Sequence, residues 1–336
     1  MILALRALGV GDLATAVPAL RALRAAYPDR ELVLAAPAWL GPLVELVGGV
    51  DRLLPTDGLD RPAWPDRQGW VDRQDRVDRR DRADRLAEPV EVAVNLHGRG
   101  PESHRLLAAT RPARLFAFAN TEAGHGDGPD WDDDEHEVPR WCRLLRGYGI
   151  VADPADLDLR RPAPGTMPGG VTVLHPGSKV PAKRWPAGRY AALARELAAR
   201  GHRVVLTGSP PERAGALRIA YAAGLPATAV LAGRTDLAQL AALVAQARLV
   251  VSGDTGVAHL ATGYRTASVV LFGPIPPSRW GPPPERRRHR VLWAGSAPGP
   301  VRGGSPVAVA AIGVDEVLTA VGEVERAVRR DRAVAA

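Results

Sequence analysis

Short apolar runs alternate with stretches of helical spacing along nearly the whole chain, and the alternation occurs twice. In the first half, residues 2–8, 31–36, 52–55, 90–95 and 114–119 read as strands. The stretches 12–26, 39–47, 102–109 and 137–148 read as helices. In the second half the strands are 171–174, 203–207, 229–231, 248–251 and 268–272, interleaved with helices at 187–200, 211–222, 237–245 and 255–261. A helix between consecutive strands carries the chain back to the end where it began, so neighbouring strands pair in parallel and bury both faces. The pattern therefore predicts an α/β protein of two Rossmann-like, doubly wound parallel-sheet domains facing a cleft. The first spans 1–160 and the second 168–322. A Pro- and Gly-rich linker lies at 153–170, and a basic tail at 323–336.

One segment breaks the rhythm. Between residues 66 and 85 the dipeptide Asp-Arg recurs, latterly every third residue. As a helix it would set Asp72 against Arg76 and Asp75 against Arg79, pairs worth about 0.2–0.5 kcal/mol each. Without an apolar face it has no means of anchoring to a core. It reads as a surface insertion that carries no chemistry.

Charge narrows the function classes. The 336 residues carry a formal net charge of +7, but most arginines are interleaved with Asp or Glu. Tight basic runs occur only at 286–290 and 326–332, with no aromatic-basic groove or finger motif. This excludes nucleic acid as the expected partner and leaves attraction to anionic ligands or a lipid surface. The lone cysteine, Cys142, rules out an internal disulfide framework. The chain opens on a strand-like run with no basic leader or long apolar span, so a cytoplasmic protein is expected, with peripheral contact at the inner face of the membrane. The acidic run 130–137 lacks the alternation of a calcium loop, and no spaced cysteine or histidine pairs suggest zinc. No metal and no cofactor are expected.

The chemistry concentrates at strand ends. Of 44 strong bases only two are lysines, Lys179 and Lys183, both in the loop after the strand 171–174. A compact ammonium differs from a planar guanidinium, and the ends of strands in open α/β sheets are where anionic ligands bind. The segment from Arg248 to Ala261 is a strand, a turn and a helix start. Its glycines and Thr255 let backbone N–H groups approach a phosphate at the helix N-terminus. Asp254 can cap that helix or accept sugar hydroxyls, and His259 one turn later fits a packed residue or a ligand. Glu212 suits either a ribose diol or the first turn of a helix. Near the start, Gly9-Val-Gly-Asp-Leu-Ala14 fits a dinucleotide fingerprint, but the second strand ends at Leu34-Ala-Ala-Pro37 without the required acid. What remains is Asp12, a helix cap or a general base.

Together, His175-Pro-Gly-Ser178, Lys183-Arg-Trp-Pro186 and Gly253-Asp-Thr-Gly-Val-Ala-His-Leu-Ala261 resemble glycosyltransferase family nine, the ADP-heptose heptosyltransferases. The resemblance extends to Gly11-Asp12, to Asn95-Leu-His-Gly-Arg-Gly-Pro101, and to Phe272-Gly-Pro and Arg279-Trp-Gly-Pro282. It implies a GT-B fold and inversion at the anomeric carbon without a metal. It implies further that Asp12 is the base and that Lys183 contacts the diphosphate and sugar. Glu212 would bind the ribose, Asp254 the donor-sugar hydroxyls, and Thr255, Gly256 and Val257 the phosphates. Ser178 and His259 fall in the donor motifs, and Gly11, His97 and Arg99 on the acceptor side. The expected partners are a nucleotide sugar, ADP-heptose foremost, and a glycan or small-molecule acceptor. The first loop carries Arg6 where lipopolysaccharide heptosyltransferases carry lysine and serines, which widens the acceptor to other envelope glycans or a secondary metabolite. The competing readings are a GT-B nucleotide-sugar epimerase, an oxidoreductase resting on the glycine fingerprint alone, and a non-catalytic nucleotide-sugar-binding protein in which Asp12 would be replaceable.

Overall fold

The computed structural model describes residues 1–59, 89–163, 165–295 and 307–335. The Asp-Arg repeat at 66–85 lies outside the described residues. The chain divides into two compact units, Met1–Asp156 and Leu157–Ala336. Among the described residues each contains one five-stranded, wholly parallel sheet.

In the first unit the strands are β1 (Ile2–Leu5), β2 (Leu32–Ala36), β3 (Arg52–Pro55), β4 (Val92–Asn95) and β5 (Arg114–Phe116), in the order β3-β2-β1-β4-β5. The central strands are buried on both faces, as continuous apolar runs demand. The single helix expected at 12–26 is two helices, Val10–Thr15 and Val17–Ala26. Pro18 stands in the first turn of the second helix, where its missing N–H costs nothing, whereas within one continuous helix it would break the ladder.

The second unit contains β6 (Thr172–His175), β7 (Val204–Leu206), β8 (Leu249–Gly253), β9 (Ser268–Phe272) and β10 (His289–Trp293), ordered β10-β9-β8-β6-β7. Leu174, Leu206, Val251 and Leu271 form the centre of its core. The strand expected at 229–231 is a single bridge between Leu206 and Val230 after a 3-10 turn. Strand β10, which periodicity did not reveal, pairs with β9 at the sheet edge.

Two boundaries differ from the sequence reading. Residues 157–163 are not a free linker: Leu157 and Leu159 are buried, and the Leu159 N–H donates to the Gly263 carbonyl. A Cβ on Gly263 would lie 2.7 Å from Leu159, so glycine permits this close approach. The supposed tail at 323–336 continues the helix Val314–Ala335. Val324 on it is fully buried, and Glu323 and Glu325 pair with Arg290 and Arg248. Among the described residues no helix is long and apolar enough to cross a membrane.

Val324 thus anchors the residues from 323 onward to the core. Deleting them should lower the unfolding free energy by at least about 2 kcal/mol, the worth of one buried valine side chain. Urea titration would read this as a lower midpoint; an unchanged midpoint would show that the segment adds nothing to the fold.

Candidate functional site

A doubly wound sheet has a switch point, where neighbouring strands send their crossovers to opposite faces, and ligands bind there at the carboxyl ends. In the first unit this point lies between β1 and β4, in the second between β6 and β8. The candidate residues collect at these two places.

In the second unit, β8 ends at Gly253 and the chain turns through Asp254 and Thr255 into the helix Gly256–Gly263. Asp254 is buried, and its Oδ2 accepts a hydrogen bond from Lys183 Nζ at 2.6 Å. His259 Nε2 lies 3.8 Å from the other carboxylate oxygen, and its ring meets Trp280 edge-on at 5.8 Å. Asp254 is thus not a helix cap. Thr255 occupies the N-cap position with extended backbone, its side chain making no cap bond and its buried hydroxyl having no partner. The first-turn N–H groups of a helix lack acceptors within the helix. Hydroxyl, N–H groups and ammonium together make a surface suited to an oxyanion.

Lys183 reaches Asp254 because two glycines let its loop sit against the sheet. A Cβ on Gly253 would stand 3.0 Å from the Lys183 carbonyl, and one on Gly273 would stand 3.0 Å from that of Ala182. The loop is clamped further on by Trp185, which is buried and donates its indole N–H to the Ile312 carbonyl at 2.9 Å. Ser178 shapes the same loop: its hydroxyl accepts the Val180 N–H and its carbonyl accepts from Arg184. Lys179 is exposed beside it.

A second group lies one strand over, at the ends of β6 and β7. Glu212 Oε2 accepts both the N–H and the hydroxyl of Ser209, at 2.7 and 2.8 Å, closing a capping box. Burial alone would raise the Glu212 carboxyl, but these two donors hold it below its usual range. The carboxylate lies against Gly177, where a Cβ would come within 2.3 Å. His175 bonds to Thr207, and burial pushes its pKa down to about 4.

In the first unit, Asp12 Oδ2 accepts the Gly9 N–H at 3.0 Å, and Oδ1 lies 3.7 Å from the Arg6 guanidinium. The Asp12 side chain keeps 28% exposure. Sequence reasoning gave Arg6 no role beyond a departure in the acceptor loop. It is fully enclosed, donating to the carbonyls of Asp12 and Leu96 and to the Thr15 hydroxyl, with Trp141 stacked 4.5 Å over its guanidinium. Its only sequence signal was position, one residue past a buried strand. Burial, then the Arg6 charge, pushes His97 down to about 4. Gly11 lies in the helix Val10–Thr15. Arg99 is exposed, 3.7 Å from Asp133. The acidic run 130–137 is tied up by Arg140 and Arg143, and His136 caps the helix Glu137–Gly147. Among the described residues no cluster of three potential ligands could hold a metal ion.

Two outcomes follow from this geometry. Gly273→Ala should shift the Lys183 loop by a few tenths of an ångström and weaken binding of an oxyanion such as inorganic pyrophosphate on the order of tenfold, the sensitivity expected of a preorganised site. Calorimetry would check this, with an unchanged melting temperature excluding general damage; full pyrophosphate affinity would show that the glycine does not position the loop. The second concerns pH. Burial holds His175 and His289 at about 4, below the ordinary 6.5. Near pH 5 the unfolded chain therefore takes up about two more protons at these groups than the folded one. Their contribution to stability is complete above pH 6.5 and lost as pH falls toward 4, at about 2–3 kcal/mol per pH unit. Urea unfolding at pH 7 and pH 5 reads the slope, and a flat profile would contradict the assignment.

Residues 151–301 match the model of glycosyltransferase family 9 (heptosyltransferase). The lipopolysaccharide heptosyltransferase 2 of Escherichia coli (strain K12) is 36% identical over 121 residues, which are 35% of this chain and 34% of that protein. The chain thus matches about a third of that relative's length. A glycosyl transferase family 9 structure from Veillonella parvula DSM 2008 superposes with a TM-score of 0.74 at 19% identity, covering 96% of each chain. The E. coli ADP-heptose heptosyltransferase II superposes with 0.71 at 22% identity, over 96% of this chain and 98% of that one. At such identities the structures speak for the fold, a GT-B pair of Rossmann-like units, while the family model rests on the segment holding Lys183, Glu212 and Asp254. Fold and motifs point the same way: residues 151–301 match glycosyltransferase family 9, and the fold is that of the heptosyltransferase structures this chain resembles.

Proposed function

We propose that this chain is an inverting, metal-independent glycosyltransferase that moves a sugar, heptose from ADP-heptose foremost, to an acceptor hydroxyl on an envelope glycan or a secondary metabolite. The observation that carries the reading is the Lys183–Asp254 pair at the start of the helix Gly256–Gly263. Lysine has three donors and spends one on Asp254, so the ammonium can hold the carboxylate and a diphosphate together. The relatives named for ADP-heptose or lipopolysaccharide support the donor. The formal net charge of +7 supports work beside an anionic membrane at the cytoplasmic face.

The roles follow from the chemistry. The diphosphate gathers negative charge as the anomeric C–O bond breaks, and Lys183, the Thr255 hydroxyl and the N–H groups of Gly256 and Val257 stabilise it in place of a metal. Glu212 accepts from the ribose, and Asp254 orients Lys183 while meeting the sugar hydroxyls. His259 packs between Asp254 and Trp280. The acceptor oxygen attacks the anomeric carbon from the face opposite the leaving group, the acceptor proton passes to Asp12, and the electron pair of the broken bond leaves on ADP. Gly11 and Arg99 belong to the acceptor side. His97, held at about 4, is a weaker base than a free histidine and serves there as a neutral polar group.

Paired substitutions test this reading. Lys183→Ala should weaken ADP binding by roughly 1.5–3 kcal/mol, the worth of a charged hydrogen bond, and Lys183→Arg should not restore it fully. Asp12→Asn keeps the cap to Gly9 and therefore the fold and the donor affinity, but should cut turnover by about 10²–10⁴-fold. Turnover insensitive to EDTA completes the pattern. Asp12→Asn with full turnover would overturn the base assignment, and Lys183→Ala with unchanged ADP affinity would overturn the donor site.

A further inference from the structure

The donor residues follow the carboxyl ends of β6, β8 and β9. At the other end of the same sheet, where these strands begin, lies a groove of about 600 Å³. Its walls include five arginines, Arg161, Arg248, Arg265, Arg288 and Arg329, and one carboxylate, Glu325. The nearby acids are largely spoken for. Glu325 pairs with Arg248, Asp158 with Arg265 and Arg286, and Asp331 with Arg288. That leaves two guanidinium groups uncompensated. Arg161 donates to the backbone carbonyls of Ala245 and Tyr264, and among the described residues neither it nor Arg329 has a carboxylate partner.

A second observation points to a ligand. Tyr264 lines the groove and is only 2% exposed, yet its hydroxyl has no hydrogen-bond partner. A buried hydroxyl with its donor unspent is expensive unless something accepts from it. Burial raises its pKa, so it stays a neutral donor beside the arginines. Nothing in the proposed transfer reaction uses this end of the sheet.

We propose that this groove is a second anion site, taking a phosphate group through Arg161 and Arg329 with the Tyr264 hydroxyl as a third donor. Guanidinium forks match phosphate oxygens two at a time, and a neutral phenol adds a bond without adding charge. The phosphate can be that of a free phosphorylated metabolite or of a lipid headgroup; the chemistry of recognition is shared.

The full chain carrying Lys183→Ala, which weakens the donor site, serves as the background. Inorganic pyrophosphate is titrated into it by calorimetry, alone and with Tyr264→Phe, Arg329→Glu or, as a charge control on an exposed helix position, Arg218→Glu. The expected result is binding weakened about tenfold by Arg329→Glu and several-fold by Tyr264→Phe, with Arg218→Glu within twofold of the background. The phenylalanine variant removes only an unpartnered hydroxyl, so folding is retained. In a second arm the wild-type chain and the same variants are sedimented with vesicles of phosphatidylglycerol in phosphatidylcholine. Loss of vesicle binding alongside pyrophosphate binding assigns the site to a lipid phosphate; loss of pyrophosphate binding alone assigns it to a soluble one. Pyrophosphate and vesicle binding that ignore both Tyr264 and Arg329, or that respond equally to Arg218→Glu, would overturn the proposal.

Discussion

Parallel strands joined by right-handed crossovers impose one constraint on which everything else here depends. Each sheet has a single place where adjacent strands send their chains to opposite faces, and only there do strand ends stand uncovered by a helix. The two units put that place in different strand orders, between β1 and β4 in one and between β6 and β8 in the other. Asp12 and His97 follow the first pair of strands; Lys183 and Asp254 follow the second. Residues far apart in sequence, such as Lys183 and Asp254, meet because the topology leaves no other exit for their loops.

Charge buried at these points needs partners, and each unit solves this differently. Arg6 spends its donors on two carbonyls and a hydroxyl and rests under Trp141, so a strand end, a helix start and the β4 loop are bound to one guanidinium. The Asp12 carboxylate is placed by that arrangement and by the Gly9 N–H. In the second unit the Lys183–Asp254 pair is short and largely enclosed. Such pairs add little net stability after desolvation, so their physical effect lies in holding two groups at a fixed separation.

How much could be read from residues alone varied by the range of the physics involved. The strand-helix rhythm is local, set by the period of burial along ten residues, and nine of the ten strands among the described residues stood in it; β10 and the split at Pro18 did not. Lys183 stood out because it is one of two lysines among 44 strong bases. Glu212 was legible only as an acid of either kind, and its bonds to Ser209 show a cap. The basic stretch after residue 322 looked like a tail because its charges dominate its composition. The few apolar positions that bury it, Val324 among them, matter only once β9 and β10 lie beneath them.

Sequence by itself determined the alternation of elements, the parallel pairing it compels, and the residue types gathered at strand ends, because each depends on spacing within one element or its next turn. The tertiary structure alone decided that Asp254 holds Lys183 rather than capping its helix, that Gly253 and Gly273 admit the lysine loop, and that Arg6 is enclosed. It alone also brought five arginines to one groove at the far end of the second sheet. These are contacts between segments tens to hundreds of residues apart, and their distances follow from which strands lie side by side, a property that no local pattern encodes.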